Sequence, residues 1–531
     1  YDDVATSEVT NQMQYRTERI FSLFDETRAS YLFKLGLEHQ LDATLGMRYF
    51  NNRSEDDWGK AYNSTSDRFR SLQYGLNDLR QMGGSIGTWN WLSFYGNVAY
   101  SLKSRYFVNA TLSADASSRY GEDIGQFQIF PALSAAWVMS SENFMRNLPW
   151  VDLLKIRAGY SMSGNDDIGN YAARRYYSSQ NLLGNYGLVR GNLVNRNLKP
   201  ERMARLYAGA DMAFMNERLS LSIDVYRSTV KDMIAYSPIT SYSGFSTYID
   251  NSGEMRNTGV DVAINARVLN LPSLKWDLGA TVSHYKNKIT ELKGDRYLTD
   301  IAAGTILTEV GRPMGVFYGY KTNGVYATTE EAKADGLHVR SGLSDVPFEA
   351  GDMRFVNMNG DKYINEEDMT VIGNPNPDIY GGLNTRILWK NFTFSARFTY
   401  SLGNDVYNYT RRTLESMSGM ENQTQAVLNR WRAEGQITSM PKVTYGDPMG
   451  NARFSDRWIE DGSYLKFKNL TVAYDVPIRK GIITGIQVYA VAENLCTWTK
   501  YKGYDPEFSA STNPLGYGID AFMTPQARTF Y

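Results

Sequence analysis

The chain has 531 residues and a net charge of −1, and 13% of it is aromatic, including 38 tyrosines. That balance gives no reason to expect a nucleic-acid partner or a charge-driven contact with a membrane surface. The three scattered histidines (His39, His284, His338) leave little for acid–base catalysis, the single Cys496 excludes an internal disulfide, and no apolar run reaches the length of a membrane-spanning helix.

Alternation of apolar and polar residues is the dominant signal, and the first 50 residues already read as strands. In WLSFYGNVAYSL (91–102), Leu92, Phe94, Gly96, Val98, Tyr100 and Leu102 share one face, and Ser93, Tyr95, Asn97, Ala99 and Ser101 the other. After the turn KSR, Tyr106, Val108, Ala110, Leu112 and Ala114 oppose Phe107, Asn109, Thr111, Ser113 and Asp115. Each strand of this hairpin is about 10 residues long, enough to cross a bilayer at a tilt.

Farther along, Leu206, Ala208, Ala210, Met212 and Phe214 precede the turn MNER, and Leu219, Leu221, Ile223 and Val225 follow it. Val260, Val262 and Ile264 pair across NLPS with Trp276, Leu278, Ala280 and Val282. Ile379, Leu383 and Ile387 lead through WKN to Phe392, Phe394, Ala396 and Phe398, and Ile486, Val488, Ala490 and Ala492 form a last row. The pattern predicts about 14 to 16 strands. Long loops are expected at 51–90, 164–202, 232–256, 290–377, 402–463 and 499–520, alternating with short turns.

Tight turns at one end and elaborate loops at the other predict an all-β chain, a transmembrane antiparallel β-barrel with short periplasmic turns and long extracellular loops. The polar face also carries Lys155, Arg157, Asp224 and Arg397, which a water-filled lumen accommodates and a dry core does not. A soluble propeller or a row of sandwiches is the competing reading. Those folds use strands of about 5 or 6 residues, and the chain has no blade-length repeat.

Several stretches resemble the SusC/RagA-like family of TonB-dependent outer-membrane transporters. They are YFVNATLSADASSRYG (106–121), FPALSAAWVMSSENFM (130–145), LLKIRAGYSMSGNDDIGNY (153–171) and NLKPE (197–201). GRPMGVFYGYKTNGVY (311–326), GDMRFVNMNGDKYINEEDMTVIGNPNPDIYGGL (351–383), RWIEDGSYLKFKNLTVAY (457–474) and ENLCTWTKYKGYDPE (493–507) continue the series in family order. The resemblance implies a 22-stranded barrel filled by an N-terminal plug, a TonB box that engages the TonB complex, and a SusD-like lid lipoprotein. It also implies import of oligosaccharides or peptides. Nothing before residue 91 reads as a plug, and the chain stops at PQARTFY where the family usually runs on. The expectation is therefore a C-terminal barrel portion whose wall the N-terminal part of the same transporter completes, because a free sheet edge in hydrocarbon leaves backbone groups unpaired.

Within the 290–377 loop, NMNGDKYINEEDM has the spacing of a calcium loop: Asn357, Asn359, Asp361, Asn365 and Asp368 at positions 1, 3, 5, 9 and 12, with the Tyr363 carbonyl at position 7. Asn357 stands where the resembled motif has an acid and Lys362 where it has glycine. A solvated polar turn is the competing reading. No cofactor is required, and Ca2+ in this loop is the one expected ion.

The segment 410–435 is the most helix-like, with Ala426, Val427, Leu428 and Trp431 near its end, and is expected to pack over the barrel rim within the 402–463 loop. Trp89, Trp91, Trp498 and Tyr501 are expected at the membrane interfaces. Ser163 and Ser401 lie beside glycine without the motif of a hydrolase nucleophile, so no catalytic residue is assigned. An active importer is the leading function, and a self-contained passive porin the alternative.

Overall fold

The protein is described by a computed structural model covering residues 11–182, 185–245, 247–342, 344–478, 485–508 and 514–531. The first ten residues of the expected opening strand, and short pieces of the loops 164–202, 232–256, 290–377 and 499–520, lie outside the described residues. Among the described residues, fifteen strands form one large antiparallel sheet in simple chain order. They are β1 (Gln12–Leu35), β2 (His39–Tyr62), β3 (Gln81–Leu102), β4 (Tyr106–Ser117) and β5 (Gln128–Val138). β6 (Val151–Asn165), β7 (Glu201–Phe214), β8 (Leu219–Pro238), β9 (Thr247–Leu271) and β10 (Leu274–Leu292) follow. β11 (Ile379–Trp389), β12 (Phe392–Leu402), β13 (Tyr464–Val476), β14 (Ile486–Thr499) and β15 (Thr529–Phe530) complete the order.

The chain divides into two compact units, one of residues 1–137, 158–205 and 230–252, the other of 138–157, 206–229 and 253–531. In the first unit the register stacks like on like. Thr27, Met47, Phe94, Ala114 and Ile129 lie opposite one another across β1 to β5, and the next row is Glu26, Arg48, Ser93, Asp115 and Gln128. Side chains one residue apart point to opposite faces, so the first row makes an apolar face and the second a polar one. Hydrogen bonds link neighbouring strands on the polar face: Arg48 donates to Glu26 at 3.1 Å, Tyr95 to Glu26 at 2.7 Å and Ser93 to Asp115 at 2.6 Å.

Two of the expected loops shrink. Residues 51–62 and 81–90 belong to β2 and β3, leaving 63–80 as the connection, and β8 and β9 leave only 239–246. These extensions lack the apolar rhythm because they carry residues such as Glu55, Asp56 and Asp57, with Arg16 pairing Asp56 at 2.6 Å across the ladder. Backbone pairing holds a strand in water without any greasy face, so hydropathy gives no sign of it.

The second unit repeats the two-face arrangement over six strands. Asn265, Gly279, Asn384, Arg397, Asn469 and Glu493 are successive partners from β9 to β14. Beside them run Ala266, Leu278, Thr385, Ala396, Leu470 and Ala492. The long connections of this unit carry its hydrophobic cores. One gathers Tyr326, Phe348, Met353 and Phe355, and another Ile306, Phe317, Tyr407, Phe454, Trp458 and Ile519.

The helix expected over 410–435 is short: α2 (Tyr409–Glu415) ends before Met417, which takes a left-handed φ of 54°. A separate 3-10 turn spans Gln425–Asn429. Val427 is buried with Met417 and Met440, and Trp431 donates from its indole to the Ala327 carbonyl at 3.1 Å. Its apolar residues thus serve loop packing rather than one long helical stripe. An earlier helix, α1 (Thr329–Asp335), went unpredicted, although Thr328 caps it by accepting from the Glu331 amide and Gly336 closes it in the left-handed conformation.

Candidate functional site

The polar face of the sheet is where chemistry concentrates. On β6, Arg157 donates to Asp211 of β7 at 3.1 Å and to both oxygens of Asp224 of β8 at 2.5 and 2.6 Å. Ser222 receives a further bond from it at 3.1 Å. The arrangement is a planar guanidinium held between two carboxylates, the geometry that arginine favours.

Across β9 to β14 the polar row opens onto a cavity of about 900 Å3, whose lining includes Asn265, Arg267, Asn384, Arg386, Arg397 and Lys468. Arg267 pairs Asp277 at 2.8 Å, and Lys468 pairs Glu507. Arg386 and Arg397 point to the same cavity with no carboxylate partner among the described residues. A Cβ at Gly279 would collide with the amide oxygens of Asn265 and Asn384, so the missing side chain brings those two amides together. Beside this cavity Lys466 is 1% exposed, its ammonium 2.6 Å from Asp505, 3.0 Å from Glu507 and 3.1 Å from the Gln526 side-chain oxygen. A buried ammonium requires such a cage.

A second cavity of about 520 Å3 lies at the long-loop end of β10 to β13, bordered by Tyr285, Tyr380, Tyr464, Ser401, Glu507 and Tyr517. Tyr285 and Tyr380 meet edge to face with ring centroids 6.0 Å apart. Tyr517 keeps 44% of its surface exposed, yet desolvation by the surrounding protein still raises its phenol above the ordinary pKa, with the neighbouring Tyr380 adding to the rise. Residue counting alone does not find this cluster, because it needs the register of four strands and the return of the last long loop.

The register also sorts residues that alternation left ambiguous. Tyr95 is bonded to Glu26 on the polar face, Tyr207 shares the parity of Asp211, and Tyr160 has the opposite parity to Arg157. Trp498 is exposed near the end of β14, as an interfacial residue should be. Two other expectations are corrected. Trp89 and Trp91 lie well inside the 22-residue β3 on the parity of Ser93, with the Arg119 guanidinium 4.2 Å over the Trp89 ring. Tyr501 is 6% exposed and donates to Asp520 inside the loops. The histidines lie at separate places: His39 beside Tyr100, His284 beside the Asp378 carbonyl, and His338 beside Tyr363.

The six calcium-loop positions lie on one turn, with Asn359, Asp361 and Asn365 exposed, Asn357 and Tyr363 half-buried and Asp368 buried. Asn357 accepts from the Gly360 amide at 2.7 Å, Asn359 from Asp361 at 3.1 Å, Asp361 from Tyr363 at 2.8 Å and Asn365 from Glu367 at 2.7 Å. Asp368 is fully buried and takes the Met358 and Asn365 amides at 2.7 and 3.0 Å. Lys362 adopts a left-handed φ of 69°, so the turn persists with lysine at the glycine position. The oxygens are of the kind calcium takes, although the five side chains each accept a backbone amide of their own turn.

A sheet with one apolar and one polar face, built from strands of membrane-spanning length and carrying long folded loops, is how the wall of an outer-membrane β-barrel is constructed. The chain belongs to the family described as TonB dependent receptor-like, beta-barrel, which it matches over residues 1–495. It is 31% identical over 516 residues to TonB-dependent receptor P3 of Formosa agariphila, covering 93% of this chain and 50% of that one. To TonB-dependent receptor SusC of Bacteroides thetaiotaomicron it is 29% identical over 461 residues, covering 83% and 43%. Among solved structures, the RagAB peptide transporter superposes with a TM-score of 0.80 at 24% identity, over 98% of this chain and 56% of that one. The chain thus spans about half the length of the curated relatives it matches.

Proposed function

We propose that this chain forms most of the wall of an outer-membrane active importer of the SusC/RagA type, which takes up oligosaccharides or peptides with energy delivered through TonB. The observation that carries the reading is the pair of neighbouring rows, one polar and one apolar, running unbroken from β9 to β14, joined to the family match over residues 1–495. Further strands and a plug from the same transporter complete the wall and fill it, and a SusD-like lipoprotein closes the outer mouth. The test is purification of the complex from its native membrane, with identification of every co-purifying chain and bound ligand by mass spectrometry. A plug-bearing segment and a lid lipoprotein are expected. A single species of this chain that conducts passively in a planar bilayer overturns the importer in favour of a porin.

The loop at 357–368 is proposed as a calcium site that secures the turn, with Asp361 and Asp368 as its acids and Asn357, Asn359, Asn365 and the Tyr363 carbonyl as neutral oxygens. The burial of Asp368 and the preserved turn at Lys362 support it. Calcium titration by calorimetry on the complex should show binding that Asp361→Asn abolishes; no heat at millimolar calcium rejects the site.

A further inference from the structure

The 520 Å3 cavity differs in kind from the cationic one, and its chemistry names a ligand. Tyr285 of β10, Tyr380 of β11 and Tyr464 of β13 share the parity of Asp277, Arg386 and Lys466, so all three rings face the polar side. Tyr517 joins them from the last long loop. Rings from four separate segments therefore border one space at the long-loop end, where material from outside arrives first.

Among the described residues that line it, the space carries no uncompensated charge. Its one ionisable acid, Glu507, is committed to Lys466 at 3.0 Å and to Lys468. A peptide terminus or an acidic sugar finds no counter-ion there, and an extended peptide finds no unpaired strand edge, because β10 to β13 are paired on both sides. What the space offers is phenol rings and hydroxyl oxygens: the Tyr285 hydroxyl donates to Asn376 at 3.2 Å and the Ser401 hydroxyl to Asn404 at 2.8 Å, so those two oxygens are left to accept. The face of an aromatic ring is electron-rich, so the C–H edges of a sugar ring lie favourably against it while the hydroxyls bond at its rim. The volume falls within the range of about 300–1,000 Å3 for small-molecule sites.

We propose that Tyr285, Tyr380, Tyr464 and Tyr517 form a subsite for an uncharged sugar ring of the cargo. The inference rests on the import reading and narrows its cargo to neutral oligosaccharide. Tyr517 is the residue to test, since it is 44% exposed in a loop and its replacement leaves the wall untouched.

In the intact complex, binding is measured against an array of neutral oligosaccharides of varied linkage and a random hexapeptide library. The wild type binds at least one neutral oligosaccharide. Tyr517→Leu weakens that binding about tenfold, Tyr517→Phe stays within about threefold because the ring remains, and retained peptides are unaffected. Tyr464→Leu repeats the loss, with a thermal melt confirming that it folds. Absence of any neutral oligosaccharide ligand, or undiminished binding by Tyr517→Leu, overturns the subsite. Cell uptake of whatever ligand binds, with and without a proton uncoupler, tests import separately: uncoupler-sensitive uptake of peptide alone rejects the subsite and keeps the importer, and insensitive uptake rejects the importer.

Discussion

Within the second unit, the wall and the outer loops solve opposite problems with the same amino acids. In β10, β11 and β14, Leu278, Leu383 and Val488 remain 38%, 43% and 60% exposed. In the loops, Ile306, Phe317, Tyr407 and Trp458 are fully buried. The loops fold as any soluble domain does, by removing apolar surface from water. The wall turns its apolar surface toward hydrocarbon and relies on complete backbone pairing, since an unpaired amide there costs several kcal/mol. Exposure of a leucine therefore means something different in each region, and substitutions should separate the two.

The largest effect is expected in the loops. Trp458 donates its indole N–H to the Arg453 carbonyl at 3.1 Å and lies under the Arg457 guanidinium at 4.3 Å. Trp458→Ala should cost the loop core about 3–5 kcal/mol, read as lost hydrogen-exchange protection over 300–320 and 444–460. Heat-modifiability of the wall should stay unchanged; a joint loss would erase the distinction between the regions.

Leu278→Arg places a charge on the apolar face and should lower wall stability by about 2–4 kcal/mol, seen as a lower heat-modifiability midpoint in lipid. Asn384→Arg, one strand over on the polar row, should cost less than about 1 kcal/mol, from its repulsion with Arg397 directly opposite. Equal effects would refute the assignment of faces. Arg157→Met leaves Asp211 and Asp224 facing each other without their cation and should cost about 1–3 kcal/mol by the same assay.

The smallest effect concerns pH. Burial raises the Asp447 carboxyl above its ordinary range, against the amides of Asn451 and Ala452. A raised value means that the folded loop binds the proton more tightly than the unfolded chain. The contribution is greatest below about pH 4 and declines as pH rises through the folded value. Asp447→Asn should flatten that slope by less than about 1 kcal/mol, measured as the difference in exchange protection between pH 4.5 and 7.5.

Alternation exposed the wall because hydrocarbon on one side and water on the other impose period two on every strand that crosses. It failed where strands continue into water, as at 51–62, since there neither face has to be greasy. It also misplaced Trp89 and Trp91, whose parity with Ser93 puts them on the polar face, with Arg119 over the Trp89 ring. The 410–435 segment shows the complementary error. Its apolar residues suggested a helical stripe, yet Val427 and Trp431 find partners at Met417, Met440 and Ala327, brought near only by the fold. The cap of α1 was legible as Thr328 and Glu331 three apart. The cationic and tyrosine cavities were not, because each draws on residues more than 200 positions apart.

The sequence by itself determined that this is a wall of alternating strands and which side chains share a face, because parity is a local property of an extended backbone. It also determined the family, through motifs that recur in order. Only the tertiary structure decided which strand positions stand opposite one another. Ladder register is set by backbone pairing between distant segments, and that register alone gathers four tyrosines around one space.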